Sequence, residues 1–142
     1  KGKAVLRCRV ILETGGQKIE LKGLLDTGNC LTDTDTGKPV CVMEKSRFSG
    51  MLEKKQQDAL ESFCAMEDFG EGDAENLKPR FLIYTALGCE RGLLPVVTAD
   101  RLVIFWEGKK ICLSQAAIGL SDAPLSPYGK FEIIISPKIL DS

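Results

Sequence analysis

An acidic residue placed directly after an apolar strand constrains the fold of this chain more than any other feature. Residues 18–25 alternate polar and apolar side chains, end in Leu24 and Leu25, and lead at once into Asp26. The alternation predicts a half-buried strand. Because a charge buried without a partner is costly, Asp26 is either a turn residue at the strand end or a carboxylate placed there for chemistry.

The length and net charge of the chain restrict the number of domains and the kinds of partner that it can have. Its 142 residues predict one domain over 1–142, long enough to bury a core. The formal net charge of -1 gives no basic field, so we expect no nucleic-acid partner. No apolar run approaches the roughly 20 residues of a membrane helix. The chain opens at Lys1 without an initiator Met, so we expect a domain of a longer protein, with any membrane segment outside this sequence.

Two residue types limit the chemistry. The chain has no His, which removes Ser-His and Cys-His catalysis and the common zinc sites, so we expect no metal and no cofactor. Its six cysteines form no CxxC pair and lie singly in apolar runs. This favours small hydrophobic residues in a reducing cytosol over a disulfide framework. Redox regulation through Cys30 or Cys89 stays open as a lesser alternative.

A two-stranded hairpin is predicted before Asp26. Residues 4–12 alternate in the same way as 18–25, and Gly15-Gly16 between them is typical of a tight hairpin turn. Gly23 interrupts the second strand, which indicates a close backbone approach.

A second Asp-Thr-Gly tripeptide begins at Asp35. No apolar strand precedes it, and Asp, Gly and Pro within 33–39 together favour a polar turn. It lies too close to the first copy to belong to a second lobe. One chain is therefore predicted to supply one such acid, Asp26.

The period changes between residues 44 and 66. Apolar residues there recur at three-to-four spacing, which predicts an inserted amphipathic helix capped by Ser49, or two shorter helices. Residues 67–80 carry five acids and two glycines, which predicts a mobile surface loop; its acids are either simply solvated or a docking patch for a basic partner. After a short strand at 40–43, the chain is thus interrupted by helix before it returns to β-structure.

The second half is predicted to be β-structure. Strands 81–87 and 93–97 flank a tip with Gly88 and Gly92, and strands 101–106 and 110–113 flank a turn at 107–109. Apolar runs follow at 118–120 and 131–135, and 137–140 is predicted to be a turn of helix beginning with Pro.

The stretch from Arg9 to Asn29, RVILETGGQKIELKGLLDTGN, resembles the opening of retroviral-type aspartic proteases. The run FEIIISPKIL from Phe131 to Leu140 is similar to their second signature, although Ser136 stands where that signature has Gly. More narrowly, LLDTGNxLxDxxTGKPV, found at 24–40, resembles the sporulation sigma-E factor processing peptidases. The resemblance implies a mainly β, retropepsin-like acid protease fold with the helical insert.

The resemblance also implies an activity: an aspartic endopeptidase that removes the N-terminal pro-segment of a sporulation sigma factor precursor. Since two carboxylates must share one proton and one chain offers one, it implies a homodimer. It further implies a membrane-embedded N-terminal half, absent here, and a protease domain at the cytoplasmic face of the cell membrane. The alternative class is a retropepsin-like module that dimerises or binds a peptide without cutting it.

The residues of the predicted site follow from the same resemblance. Asp26 is the catalytic acid, Thr27 ties the two loops of the dimer together, and Gly28 gives backbone amides room to approach the carboxylate. Asn29 either donates its amide to Asp26, which favours ionisation, or is a turn residue. The hairpin tip is either a flap over an extended substrate or a plain surface hairpin; its predicted flap residues are Leu87, Gly88, Cys89 and Gly92.

Overall fold

Seven strands and two helices make up most of the part of the chain that the structure describes. The computed structural model describes residues 6–29, 31–67, 72–85 and 91–141. The strands are β1 (Leu6–Thr14), β2 (Gln17–Leu25), β3 (Val40–Glu44), β4 (Arg80–Thr85), β5 (Arg91–Trp106), β6 (Lys109–Ser121) and β7 (Ile133–Ile135). The helices are α1 (Lys45–Ser49) and α2 (Lys54–Cys64), and 3-10 turns cover Gly72–Leu77, Pro127–Gly129 and Pro137–Asp141. The prediction of a mainly β fold with a helical insert is confirmed.

Six of the strands close into a barrel in the order β1-β2-β7-β3-β6-β5, because β1 also pairs with β5. The long strand β5 pairs with β6 along one edge, and along the other edge its first half pairs with β4 and its second half with β1. Strand β4 therefore lies outside the ring, as one arm of a hairpin that extends from the barrel.

The β1–β2 hairpin forms as its sequence predicts. Gly15 and Gly16 have φ angles of 58° and 79°, the left-handed conformations that a tight two-residue turn requires. Alternate residues of both strands point into the barrel, where Val10, Leu12 and Leu21 are buried. A Cβ added to Gly23 would lie 2.7 Å from Cys8 Sγ, so the predicted close approach is present.

The short strand β7 is inserted between β2 and β3. It runs parallel to β2, with Leu25 opposite Ile135, and antiparallel to β3, with Val42 opposite Ile134. Ile133 and Ile135 are fully buried, which explains why an apolar run near the end of the chain is drawn into the sheet. The carboxyl ends of β2 and β7 consequently lie side by side.

The helical insert consists of two short helices, the second of the two forms predicted. Ser49 ends α1 and does not cap α2; the latter begins after Glu53, whose amide donates to Gln56 Oε1 at 3.3 Å. The prediction of a surface loop over 67–80 is wrong for residues 72–77. They form a 3-10 turn that buries Ala74 and Leu77 because this turn packs against α2.

The strands of the second half are longer than predicted. Residues 93–97 and 101–106 belong to one strand, and so do 110–113 and 118–120. Thr98 and Asp100, the two polar residues that separate these predicted strands, do not interrupt β5. The segment 98–100 contains neither Gly nor Pro, and β6 pairs alongside it. No helix within the described ranges combines the length and apolar character needed to cross a bilayer.

Candidate active site

The Asp26 loop is anchored where β2 and β7 end. Asp26 follows the last residue of β2, and its backbone amide donates to the carbonyl of Ile135, the last residue of β7, at 3.2 Å. Asp26 is half-buried, whereas Thr27 and Gly28 are exposed. The strand ends thus hold the acid at the edge of the barrel, with its loop facing outward.

Backbone amides turn toward the acid within this loop. The amide of Gly28 donates to Asp26 Oδ1 at 2.9 Å, and the amide of Asn29 donates to the backbone carbonyl of Asp26 at 2.9 Å. A Cβ on residue 28 would lie 3.3 Å from Asp26 Oδ1, closer than most side-chain contacts allow. Glycine at this position therefore permits the short amide contact with the carboxylate.

The side chain of Asn29 joins the loop to β3. Its Nδ2 donates to the carbonyl of Val40 at 3.1 Å, and its Oδ1 accepts the amide of Leu31 at 3.1 Å. The predicted donation from Asn29 to the Asp26 carboxylate is not what the structure has; the side chain fixes the loop that carries Asp26 to the neighbouring strand. Of the two alternatives, the turn residue describes Asn29 better.

Ser136 is a site residue whose role the sequence did not reveal. It is 0% exposed, and its hydroxyl donates to the carbonyl of Asn29 at 3.4 Å while accepting the amide of Lys138 at 3.3 Å. Ser136 therefore connects the Asp26 loop to the 3-10 turn after β7. The departure from Gly at this position places a hydroxyl where it bonds on both sides.

A buried thiol lies beneath this connection. Cys41 on β3 is buried in the core, and burial raises the pKa of its thiol to about 12, against a smaller opposing effect of a hydrogen bond with the Ser136 backbone. This thiol stays protonated at physiological pH. Cys8 and Cys64 are half-buried and Cys112 is exposed, and all four of these described cysteines are free, so the expectation of small hydrophobic cysteines fits Cys41 better than Cys112.

The predicted flap is only partly within the described residues. Leu87, Gly88 and Cys89 lie outside them, as does Cys30. Gly92 lies opposite Tyr84 in the β4–β5 hairpin, and a Cβ there would be 2.5 Å from Tyr84 Cζ. Gly92 thus makes space for the Tyr84 ring to lie across the hairpin, a contact that only the strand register reveals.

The inner face of this hairpin packs close to the Asp26 loop. Leu82 and Val96 are buried with Val40 and Ala117, and Leu31, which follows the loop, packs against the same cluster. The hairpin base and the segment after Asp26 therefore share one apolar contact surface.

The second Asp-Thr-Gly forms a turn, as interpreted. Asp35 is exposed, and Gly37 has a φ of 75°. In the same turn, Asp33 is buried and forms an ion pair with Arg80. Over the described ranges, no three His, Cys, Asp or Glu side chains converge in a way that would hold a metal ion.

Fold and loop together define a β-barrel protein that presents an Asp-Thr-Gly loop at the adjoining ends of two parallel strands. Comparison with known protein families identifies the family within this class. The profile of the peptidase U4 family, described as "Sporulation factor SpoIIGA", matches residues 1–139, so the chain belongs to this family.

Similar proteins come from Bacillus and Priestia species. The chain is 30% identical over 135 residues to a putative sporulation sigma factor-processing peptidase of Bacillus thuringiensis subsp. kurstaki, covering 94% of this chain and 84% of that protein. It is 30% identical over 141 residues to the sporulation sigma-E factor-processing peptidase of Bacillus subtilis, covering 94% of this chain and 44% of that protein. The protein of the same name from Priestia megaterium is 27% identical over 127 residues, covering 87% of this chain and 41% of that protein. The chain thus spans less than half the length of these last two relatives.

Proposed function

We propose that this chain is the protease domain of an aspartic endopeptidase that works as a homodimer and removes the N-terminal pro-segment of a sporulation sigma factor precursor. The observation that carries the proposal is the placement of Asp26, whose Oδ1 accepts the amide of Gly28 at 2.9 Å. The same bond, from the amide two residues further on, orients Asp33 in the turn at 33–37, so what supports a catalytic role is that the oriented carboxylate of Asp26 directly follows the adjoining ends of β2 and β7.

The chemistry requires a pair of acids. Two neighbouring carboxylates cannot both ionise, so one serves as base toward a water and the other as acid toward the scissile carbonyl. The water attacks the carbonyl carbon while the protonated Asp26 stabilises the developing oxyanion, and no covalent intermediate forms. This route needs neither a His nor a metal.

The second acid comes from a second copy of the chain. Among the described residues, no other carboxylate shares a hydrogen bond with Asp26, and Asp33 is committed to Arg80. The exposure of Thr27 and Gly28 supports contact between two such loops across a twofold axis. One chain thus provides half of an active site.

The substrate is proposed to lie as an extended strand between the Asp26 loop and the β4–β5 hairpin, with the hairpin tip closing over it. The apolar cluster shared by Leu31 and Leu82 brings this hairpin near the loop. The sigma factor precursor is proposed from the names of the relatives, and the location at the cytoplasmic face of the membrane rests on the family resemblance alone.

Cleavage of the precursor during co-expression tests the activity, and the chain contains its own control. Asp26→Asn replaces the carboxylate of the first Asp-Thr-Gly with an amide. Asp35→Asn makes the same replacement in the second Asp-Thr-Gly, which is exposed. We expect Asp26→Asn to abolish the mature product and Asp35→Asn to retain it. A folded Asp26→Asn variant that still releases the mature sigma factor would refute the aspartic mechanism. Precursor binding by the wild-type chain without any cleavage would favour the non-proteolytic module instead.

Mixing experiments test the dimer. A fixed amount of wild-type chain is titrated with the Asp26→Asn variant and, separately, with Asp35→Asn. Heterodimers that carry one carboxylate are expected to be inactive, so excess Asp26→Asn lowers the rate and Asp35→Asn does not. A rate that is independent of added Asp26→Asn, together with a monomer in sedimentation at active concentrations, would contradict a shared site.

A further inference from the structure

The turn at residues 33–37, which the proposed chemistry does not use, contains the most extensively bonded acid of the described chain. Asp33 is 2% exposed. Its Oδ1 accepts from Arg80 Nε at 3.2 Å and from the amide of Asp35 at 3.3 Å, and its Oδ2 accepts from Arg80 Nη2 and from Thr36 Oγ1, both at 2.6 Å. A buried carboxylate in a bidentate ion pair with an arginine is held in a fixed orientation.

Arg80 lies at the base of the β4–β5 hairpin. It is the first residue of β4, and its Nη1 donates to the carbonyl of Lys78 at 2.7 Å and to Thr98 Oγ1 on β5 at 2.9 Å. One guanidinium therefore holds the chain entering the hairpin, the strand that leaves it, and Asp33 in the turn. The hairpin cannot pivot at its base without breaking these bonds.

The other side of the turn leads to the Asp26 loop. The turn is closed at its neck by the bond from the Val40 amide to the Leu31 carbonyl at 3.0 Å. Asn29 bonds to these same two residues through its side chain, and its own amide bonds to the carbonyl of Asp26. The Asp33 amide donates to the carbonyl of Lys38 at 2.8 Å, two residues before Val40. Hydrogen bonds and short stretches of backbone thus connect Arg80 through Asp33 and the neck of the turn to Asp26.

From this path we infer that Asp33 and Arg80 are positioning residues for the proposed peptide hydrolysis: they hold the β4–β5 hairpin at a fixed place relative to the Asp26 loop. The inference rests on the proposed function and assigns the second Asp-Thr-Gly turn a role as a brace. This brace fixes where the substrate lies, because an extended peptide would be held between the hairpin and the loop.

The variant that tests it must stay folded. Breaking a buried pair from one side leaves an unpaired charge, so the neutral double variant Asp33→Asn/Arg80→Gln is used, with Asp35→Asn as the control in the same turn. We expect the KM for the precursor to rise about tenfold in the double variant, since a small misplacement of binding walls is costly in rate and binding. A purely structural role would lower the amount of active protein but leave KM unchanged, and that result would overturn the inference.

Hydrogen exchange provides a readout that is independent of activity. In the double variant, amides of the hairpin (80–85, 92–94 and 96) and of the loop (26–29) are expected to exchange faster relative to the distant β1–β2 turn. Faster exchange confined to 32–38, or spread evenly over the whole chain, would refute the coupling. If wild-type chain never cleaves the precursor, the proposed function fails, and the exchange pattern still decides whether this pair holds hairpin and loop together.

Discussion

The backbone amide of Asp26 is bonded to the carbonyl of Ile135, so the candidate catalytic acid is positioned by a strand from the opposite end of the chain. Ile135 is fully buried and ends β7, which lies beside β2 in parallel. The next residue, Ser136, bonds to Asn29 in the same loop. Any change that moves β7 is therefore expected to move Asp26.

Ser136→Ala tests this connection. Loss of the hydroxyl removes the bond to the Asn29 carbonyl and the acceptor for the Lys138 amide, which should lower the free energy of unfolding by about 1–2 kcal/mol. Because one of these bonds holds the Asp26 loop, we also expect slower precursor cleavage. Urea unfolding and initial cleavage rates measure the two effects.

The matched control is Ser126→Ala. Ser126 Oγ also makes two backbone bonds, both with Phe131, in the loop before β7. Ser126→Ala should lower the free energy of unfolding to a similar degree and leave the cleavage rate of the folded protein unchanged. If both variants slow cleavage equally, the specific role of Ser136 is wrong.

Gly23→Ala tests the packing that delivers β2 to the site. The added Cβ would lie 2.7 Å from Cys8 Sγ and 2.9 Å from Val10 Cγ2, inside the barrel. Such overpacking typically costs about 1–3 kcal/mol, and we expect a loss in that range by thermal or urea unfolding. Gly72→Ala is the control, because a Cβ there meets nothing within 4 Å. Adding Cys8→Ala to Gly23→Ala should recover part of the loss; no recovery would mean that Cys8 is not the obstructing contact.

The sequence predicted most local features of the fold because they depend on local chemistry. Alternation through Val10 and Leu12 and the turn at Gly15-Gly16 depend on neighbouring residues, and the interruption at Gly23 indicates a close approach within the same hairpin. The structure confirms each. Strand bounds were less predictable. The segment from Thr98 to Asp100, with a polar residue at each end, continues β5 because β6 pairs alongside it. Pairing between distant segments is not visible in a window of sequence.

The same limit applies to the site. Asp26 and Gly28 stand out in the sequence, since an acid at a strand end is unusual. Asp33 does not, because Asp in a Thr- and Gly-rich turn is ordinary until its partner, Arg80, is known to lie beside it. The register that brings Tyr84 over Gly92 was equally hidden. These contacts join residues that are far apart in sequence or set by strand pairing.

The cysteines are predicted to differ sharply in reactivity. Burial raises the pKa of the Cys41 thiol to about 12, so it carries almost no thiolate at neutral pH and is shielded from reagents. Cys112 is exposed on β6. Iodoacetamide labelling of the native protein, followed by peptide mass spectrometry, should modify Cys112 rapidly and Cys41 only after unfolding. Rapid native labelling of Cys41 would show that β3 and β7 open readily and would argue against a rigid support beneath the loop.

The buried pair of Asp33 and Arg80 predicts an acid-dependent stability. Desolvation would raise the pKa of Asp33, but hydrogen bonds from Arg80 and Thr36 outweigh it, so the folded-state pKa lies below the usual value. A lowered folded pKa contributes stability above the unfolded value of about 3.9, and this contribution is lost as pH falls through the folded value.

Asp33→Asn should therefore be destabilised at pH 7 by about 3–5 kcal/mol, as expected for breaking a buried pair from one side. The difference in free energy of unfolding from wild type should shrink as pH falls below about 4, because the unfolded wild-type chain then binds a proton at Asp33 that the folded chain does not yet bind. Asp35→Asn is the control, because the Asp35 side chain is 63% exposed and its nearest cation is 3.9 Å away. A difference between Asp33→Asn and wild type that is constant from pH 7 down to acid unfolding would mean that the charge of Asp33 contributes nothing to the pair.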